Sequence, residues 1–212
     1  MNREEFIKEL QKLDINISPE QLEQLERLFN ILVEENKKTN LTRIIEKEDV
    51  YLKHFYDSLT ITKVVNLNSI NTLCDVGSGA GFPGLVIKIM YPHLEIVLID
   101  SLLKRVKYLN ETIKKLDLTG IEAIHTRAED YHAKKFDLVT ARAVANIDKL
   151  LDYTMHLVKK EGKFIAMKGN IDKEITPDIE KKISNKYIID KIIEFELPIE
   201  NSKRSLVVIK NK

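Results

Sequence analysis

Ten residues, Asp75-Val76-Gly77-Ser78-Gly79-Ala80-Gly81-Phe82-Pro83-Gly84, carry the clearest chemical signal in the chain. Glycines let a backbone turn sharply and let a ligand approach the main chain, and a helix starting beyond the turn offers free N–H groups to an anion or carboxylate. Asp100 follows Gly77 by 23 residues, where an acidic side chain closing the next apolar run accepts ribose hydroxyls. Gly79 to Gly84 satisfies the dinucleotide pattern G-x-G-x-x-G. Counted from Gly77, the third glycine position falls on Phe82, which is too bulky for close helix–strand packing. Asp100 therefore indicates a ribose without choosing between cofactor classes. Other chemistry finds little support. A lysine-ending phosphate loop is absent, and Val76 stands where a nucleophile elbow needs glycine before Ser78. His54, His93, His125, His132 and His156 show no ligand spacing with Cys74, so no metal is expected.

The elements that must position this loop follow from hydrophobic periodicity. Phe6, Leu10 and Leu13 recur at helical spacing. Ser18-Pro19-Glu20-Gln21 reads as a capping box before the apolar stripe Leu22, Leu25, Leu28, Phe29, Leu32 and Val33, which ends near Asn36. A third helix is expected over 50–65, with Tyr51, Phe55, Leu59 and Thr62 on one face. From residue 72 the pattern changes. Strands are expected at 72–76, 95–100, 121–126, 136–141 and 163–168, separated by helices near 84–90, 103–116 and 147–158. Such alternation implies parallel pairing through right-handed crossovers, a doubly wound α/β sheet. Strands at 187–195 and 205–210 have no helix between them and suggest an antiparallel edge pair. The chain divides into an N-terminal helical extension, 1–68, packed on a Rossmann-like domain, 69–212.

Length and composition agree with one full domain and a modest extension: 212 residues, 43% hydrophobic and 32% charged, with 7 glycines and 5 prolines. The 34 basic and 33 acidic residues nearly cancel, which excludes a uniformly basic nucleic-acid coat. Residues 1–72 hold 10 basic and 13 acidic side chains against 24 and 20 in 73–212, so an anionic partner would meet the second segment. The single cysteine cannot form an internal disulfide, and no apolar run is long enough to span a membrane. A soluble, cytoplasmic protein with no membrane partner is expected.

The Asp-x-Gly-x-Gly-x-Gly form resembles motif I of the S-adenosylmethionine-dependent methyltransferases. Further along, the chain is similar to the 16S rRNA guanine-N7 methyltransferase family, also called glucose-inhibited division protein B, over nearly its whole length. The resemblance rests on Asn40-Leu41-Thr42, His54-Phe55-Tyr56-Asp57-Ser58-Leu59, the glycine loop and Asp100-Ser101-Leu102-Leu103-Lys104-Arg105. It continues through Arg127-Ala128-Glu129, Arg142-Ala143, Met167-Lys168-Gly169 and Arg204-Ser205-Leu206-Val207-Val208. Leu103 departs from the glycine expected there in many relatives.

This resemblance implies a class I methyltransferase fold and S-adenosylmethionine as cofactor, held by Gly77, Ser78, Gly79, Phe82, Asp100, Ser101, Ala128, Glu129 and Arg142. It implies methyl transfer to N7 of a guanine in the decoding-region loop of 16S rRNA, with 16S rRNA or the small ribosomal subunit as partner and a monomeric enzyme. N7 presents a lone pair at neutral pH, so no catalytic acid or base is expected, and rate enhancement comes from collinear positioning. Arg127, Arg142, Lys168 and Arg204 fall near strand carboxyl ends or the terminal hairpin and are the expected RNA contacts, although Lys168 and Arg204 also suit structural ion pairs. His54, Asp57 and Ser58 are expected to form a structural network. A methyltransferase of small molecules or proteins, and an NAD-type nucleotide-binding protein, share the glycine loop and remain as alternatives.

Overall fold

A computed structural model describes residues 1–171 and 174–212. Helix α1 (Arg3–Gln11) starts in a capping box in which Asn2 and Glu5 exchange side-chain bonds to each other's N–H. Helix α2 (Pro19–Thr39) starts in the second: Gln21 N–H donates to Ser18 Oγ at 3.2 Å and Ser18 N–H to Gln21 Oε1 at 2.9 Å. The Gln21 amide also donates to the Ile89 and Met90 carbonyls, each at 3.1 Å, and so ties the start of α2 to the end of a helix 68 residues away.

The third helix is broken. Helix α3 (Lys47–Val50) passes into a π-helical turn (Tyr51–Tyr56), then α4 (Asp57–Leu59) and a 3₁₀ turn (Thr60–Lys63). Tyr51, Phe55 and Leu59 are buried as the spacing requires, while Thr62 is only half-buried.

Strands and helices then alternate: β1 (Thr72–Val76), α5 (Gly84–Met90), β2 (Glu95–Asp100), α6 (Leu103–Lys115), β3 (Ile121–His125), β4 (Phe136–Arg142), α7 (Ile147–Thr154), β5 (Val158–Lys168), α8 (Pro177–Lys186), β6 (Tyr187–Glu196) and β7 (Lys203–Asn211). The sheet order is β3-β2-β1-β4-β5-β7-β6, parallel except where β7 runs against both β5 and β6. Successive strands move outward from β1 to β3, and the chain then returns to lay β4 on the other side of β1. That reversal opens a crevice at the carboxyl ends of β1 and β4, where ligands bind in such sheets.

Each inner strand buries both faces, so successive residues alternate between two cores. Leu73, Leu98, Leu138 and Ile165 meet α5, α6 and the N-terminal helices, including Phe6, Leu25 and Phe55. Cys74, Val97, Val139 and Phe164 meet α7 and α8 on the opposite face. The N-terminal helices are thus part of one helical layer.

Gly84 shows why the crevice floor tolerates no side chain. A Cβ there would lie 2.2 Å from Leu98 Cδ2 and 3.0 Å from Asp75 Oδ2, and its N–H donates to that same oxygen at 3.0 Å. Gly84→Ala is expected to destabilise the chain by about 1–3 kcal/mol through overpacking. Chemical denaturation measures it, and an unchanged midpoint would mean α5 can slide away from β2.

Candidate active site

Two cavities lie side by side along the crevice. The smaller, about 240 Å³, is lined by Gly77, Asp100, Ser101, Ala128, Glu129 and the ring of Tyr153, among others. Gly77 takes φ +70°, and its N–H donates to the Ile99 carbonyl at 2.7 Å, which pins the turn to β2. Asp100 is 2% exposed and organises the next turn: Oδ2 accepts from Gly79 N–H and Oδ1 from Leu102 N–H, both at 2.9 Å. Arg105 approaches Oδ2 at 3.5 Å. Carboxylate oxygens offer about four lone-pair positions, so Asp100 retains acceptor capacity toward the cavity. Ala128 and Glu129 open a 3₁₀ turn (Ala128–Asp130), whose first N–H groups have no partner within the turn.

The larger cavity, about 550 Å³, is lined by His54, Asp57, Arg142, Lys168, Glu174 and Arg204, among others. Asp57 is 5% exposed and sits between two arginines: Oδ2 accepts from Arg142 Nη1 at 3.1 Å and Oδ1 from Arg204 Nε at 3.0 Å. The π-helical turn leaves the Lys53 carbonyl facing Arg142 Nη1, which donates to it at 3.0 Å. Arg142 Nη2 lies 3.2 Å from His54 Nδ1. A guanidinium only donates, so Nδ1 is the acceptor and Nε2 carries the proton, donating to Thr42 Oγ1 at 3.2 Å. The His54 ring stacks on Phe82, with centroids 4.4 Å apart and planes at 12°. Lys168 pairs with Glu174 at 2.8 Å and also donates to the Ala145 carbonyl.

Val144 belongs to both walls. A Cβ on Gly77 would come 2.6 Å from Val144 Cγ2, so this side chain stands over the glycine and divides the crevice. Neighbouring Ala143 takes φ +55°, uncommon for a non-glycine residue, and carries the chain out of β4 toward that position.

The structure thus brings Gly77, Asp100, Ser101, Ala128 and Glu129 to one cavity, with Arg127 at its rim and 72% exposed. It sends Arg142 to the other cavity, together with Lys168 and Arg204. Ser78 and Phe82 are 3% exposed and support the walls: Ser78 Oγ donates to the Asp75 carbonyl at 2.9 Å, and Phe82 carries His54. Gly79 acts through its N–H on Asp100. Residue patterns missed Val144, Tyr153, Leu150 and Glu174, which line these cavities without belonging to any short motif. Among the described residues, no group of three or more His, Cys, Asp or Glu is arranged to hold a metal, and no helix is long and apolar enough to cross a membrane.

Two buried groups titrate in opposite senses. Burial first, and Arg142 second, push the His54 pKa down to about 3, so the imidazole is neutral. An unfolded histidine takes a proton near pH 6.5. This group's contribution to stability is therefore whole above pH 6.5 and falls as pH drops toward 3. Burial pushes Asp75 up to about 6, against the Gly84 N–H that lowers it. Asp75 contributes fully below pH 3.8 and loses that contribution as pH rises through 6. Its Oδ1 has no hydrogen-bond partner among the described residues. In His54→Gln, the stability lost between pH 7 and pH 5 is expected to be smaller than in the wild type by about 2 kcal/mol. Urea titrations at the two pH values check this, and parallel losses would place the acid-sensitive group elsewhere.

Comparison with known proteins bears on what this crevice serves. A family model described as rRNA small subunit methyltransferase G matches residues 21–206. A relative from Bacillus licheniformis, named ribosomal RNA small subunit methyltransferase G, is 46% identical over 220 residues, covering 100% of this chain and 91% of its own. One of the same name from Listeria monocytogenes serotype 4b is 45% identical over 217 residues, covering 99% and 90%. Among solved structures, a SAM-dependent methyltransferase from Aquifex aeolicus superposes with a TM-score of 0.61 at 16% identity, over 81% of this chain and 97% of that one. A ribosomal protein L11 methylase from Lactobacillus delbrueckii subsp. bulgaricus gives 0.56 at 17%, over 79% of each. The solved structures establish the class I methyltransferase fold alone, whereas the sequence relatives reach across almost every element described above. The chain belongs to the rRNA small subunit methyltransferase G family.

Proposed function

We propose that this chain transfers a methyl group from S-adenosylmethionine to N7 of a guanine in the decoding-region loop of 16S rRNA, acting in the cytoplasm as a monomer on that RNA or on the small subunit. The observation that carries the reading is the pairing, at the sheet's switch point, of a small cavity walled by Asp100 and glycine backbone with a larger one walled by Arg142, Lys168 and Arg204. The relatives' shared name supports rRNA of the small subunit as the substrate.

The residues present fit the cofactor. Asp100, with acceptor capacity left after Gly79 and Leu102, would take the ribose hydroxyls, and the Ala128 N–H would meet the adenine edge. Gly77, Ser101 and Glu129 would complete that wall. Alone the smaller cavity lies below the ~300–1,000 Å³ of ligand sites, and with its neighbour it lies inside that range. Val144 is the side chain separating the two. When bound, S-adenosylmethionine supplies a methyl made electrophilic by its sulfonium.

The chain's own task is then to hold the purine. N7 needs no deprotonation, which agrees with a neutral His54 already engaged by Arg142 and Thr42. Because N7 faces the deep, narrow groove of A-form RNA, the base must be unpaired or turned out of its stack. Exposed Arg127 would meet phosphate, while Arg142, Lys168 and Arg204 supply a cationic wall braced by Asp57 and Glu174. RNA affinity is expected to fall steeply between low and physiological salt, as counterion release requires, and filter binding over a salt series measures the slope. The direct test incubates the protein with methyl-labelled cofactor and small subunits from cells lacking the gene, then maps N7-methylguanine by borohydride and aniline scission. Label in ribosomal protein, or at another base atom, would overturn the reading.

A further inference from the structure

Methyl transfer to a nitrogen needs the two reacting atoms within about 3–3.5 Å of each other and in line with the leaving group. A donor whose ribose is held at Asp100 and a base held beside Arg142 must meet across the wall between the two cavities, and Val144 lines both. Its Cγ2 stands 2.6 Å from where a Cβ on Gly77 would lie, so the valine covers the glycine backbone that would floor such a passage. A side chain filling that space holds donor and acceptor further apart than reaction allows. The smaller cavity, at about 240 Å³, is also too small by itself for a nucleoside carrying an amino-acid tail.

Of the two sides of this contact, the valine is the movable one. Gly77 is pinned to β2 by its N–H on the Ile99 carbonyl at 2.7 Å. Among the described residues, neither Val144 nor Ala145 makes a backbone-to-backbone hydrogen bond, and Lys168 Nζ donates to the Ala145 carbonyl from outside the segment. The Val144 side chain is not packed away, since the residue is 42% exposed. Ala143, directly after β4, takes φ +55°, a conformation an alanine leaves for ordinary negative φ with relief of steric crowding. Residues at the ends of elements are where hinges absorb such changes. We propose that Val144 is a displaceable gate: as it stands it closes the passage over Gly77, and rotation at Ala143 withdraws it so that the two cavities join. This inference rests on the cofactor and substrate reading above and names the movement that reading requires of the chain.

The test measures S-adenosylhomocysteine binding to the full chain by surface plasmon resonance, with no RNA and no turnover. A competent form present at about 10% or less weakens apparent affinity by that fraction, so Val144→Ala is expected to bind about 10-fold more tightly, through faster association. Val144→Ile keeps the branched shape and adds a methyl group, and it is expected to associate more slowly and bind more weakly than wild type. Any other order of the three overturns the proposal. Equal rates would mean that the passage is open without movement, and weaker binding by the alanine variant would make Val144 a fixed wall of the donor site. Adenosine, which ends at the ribose, is expected to bind all three alike. A gain for adenosine equal to that for S-adenosylhomocysteine would overturn the gate by placing Val144 against the nucleoside. Absence of S-adenosylhomocysteine binding to the wild type is the separate failure of the cofactor reading.

Discussion

Asp57→Ala is expected to lower stability by about 3 kcal/mol and to remove most methyl transfer. The carboxylate accepts from Arg142 at 3.1 Å and from Arg204 at 3.0 Å, and among the described residues no other carboxylate pairs with either guanidinium group. Removing one member of a buried charge network costs about 3–5 kcal/mol, mostly because the remaining charge is left uncompensated. The arginine side chains are 16% and 23% exposed, so water relieves part of that cost and the low end applies. Among the described residues, Arg142 would keep its bonds to the Lys53 carbonyl and His54, whereas Arg204 would keep Ser202 Oγ and its neighbour's carbonyl. Arg204 should therefore be the looser of the two. Asp57→Asn retains an acceptor without the charge and should fall between. Urea unfolding and methyl-transfer rates measure both effects, and a midpoint within 0.5 kcal/mol of wild type would show that the two arginines do not depend on this carboxylate.

Asp100→Ala is expected to weaken cofactor binding by about 100-fold or more. Hydrogen bonds to a charged group contribute about 1.5–3 kcal/mol each, and the ribose would lose its acceptor. A second loss compounds the first, because the Gly79 and Leu102 N–H groups lose the oxygens that set the curvature of the glycine loop and the start of α6. Calorimetry with S-adenosylhomocysteine reads the affinity directly. Arg204→Ala should slow RNA methylation while leaving that affinity nearly unchanged, since Arg204 lines only the larger cavity. The reverse pattern, with Arg204→Ala abolishing cofactor binding and Asp100→Ala sparing it, would exchange the two cavities.

Much of the fold is legible in the chain because its signals are local. Capping at Ser18, the period-two and period-3.6 patterns and the turn at Gly77 each depend on residues within one or two turns of one another. Beside the broken third helix, two further elements departed from that reading. β5 begins at Val158 rather than 163 because the strand passes through Gly162, with a register shift opposite Phe136–Leu138, where glycine alone reads as punctuation. α8 carries a signal in Thr176-Pro177, a cap with proline at the first helical position, but buries only Ile183 and so shows almost no apolar stripe.

By itself, then, the sequence determined the alternating α/β order, the glycine loop and the acid at the end of β2, since backbone conformation and hydrophobic period are set over a few residues. Only the tertiary structure decided that Arg142 lies apart from the smaller cavity, that Val144 stands over Gly77, and that Asp57 joins residues 85 and 147 positions away. Those contacts arise where the sheet order brings distant strand ends beside the N-terminal helices. A side chain's partner there is chosen by charge, reach and exclusion of water, none of which leaves a spacing in the chain.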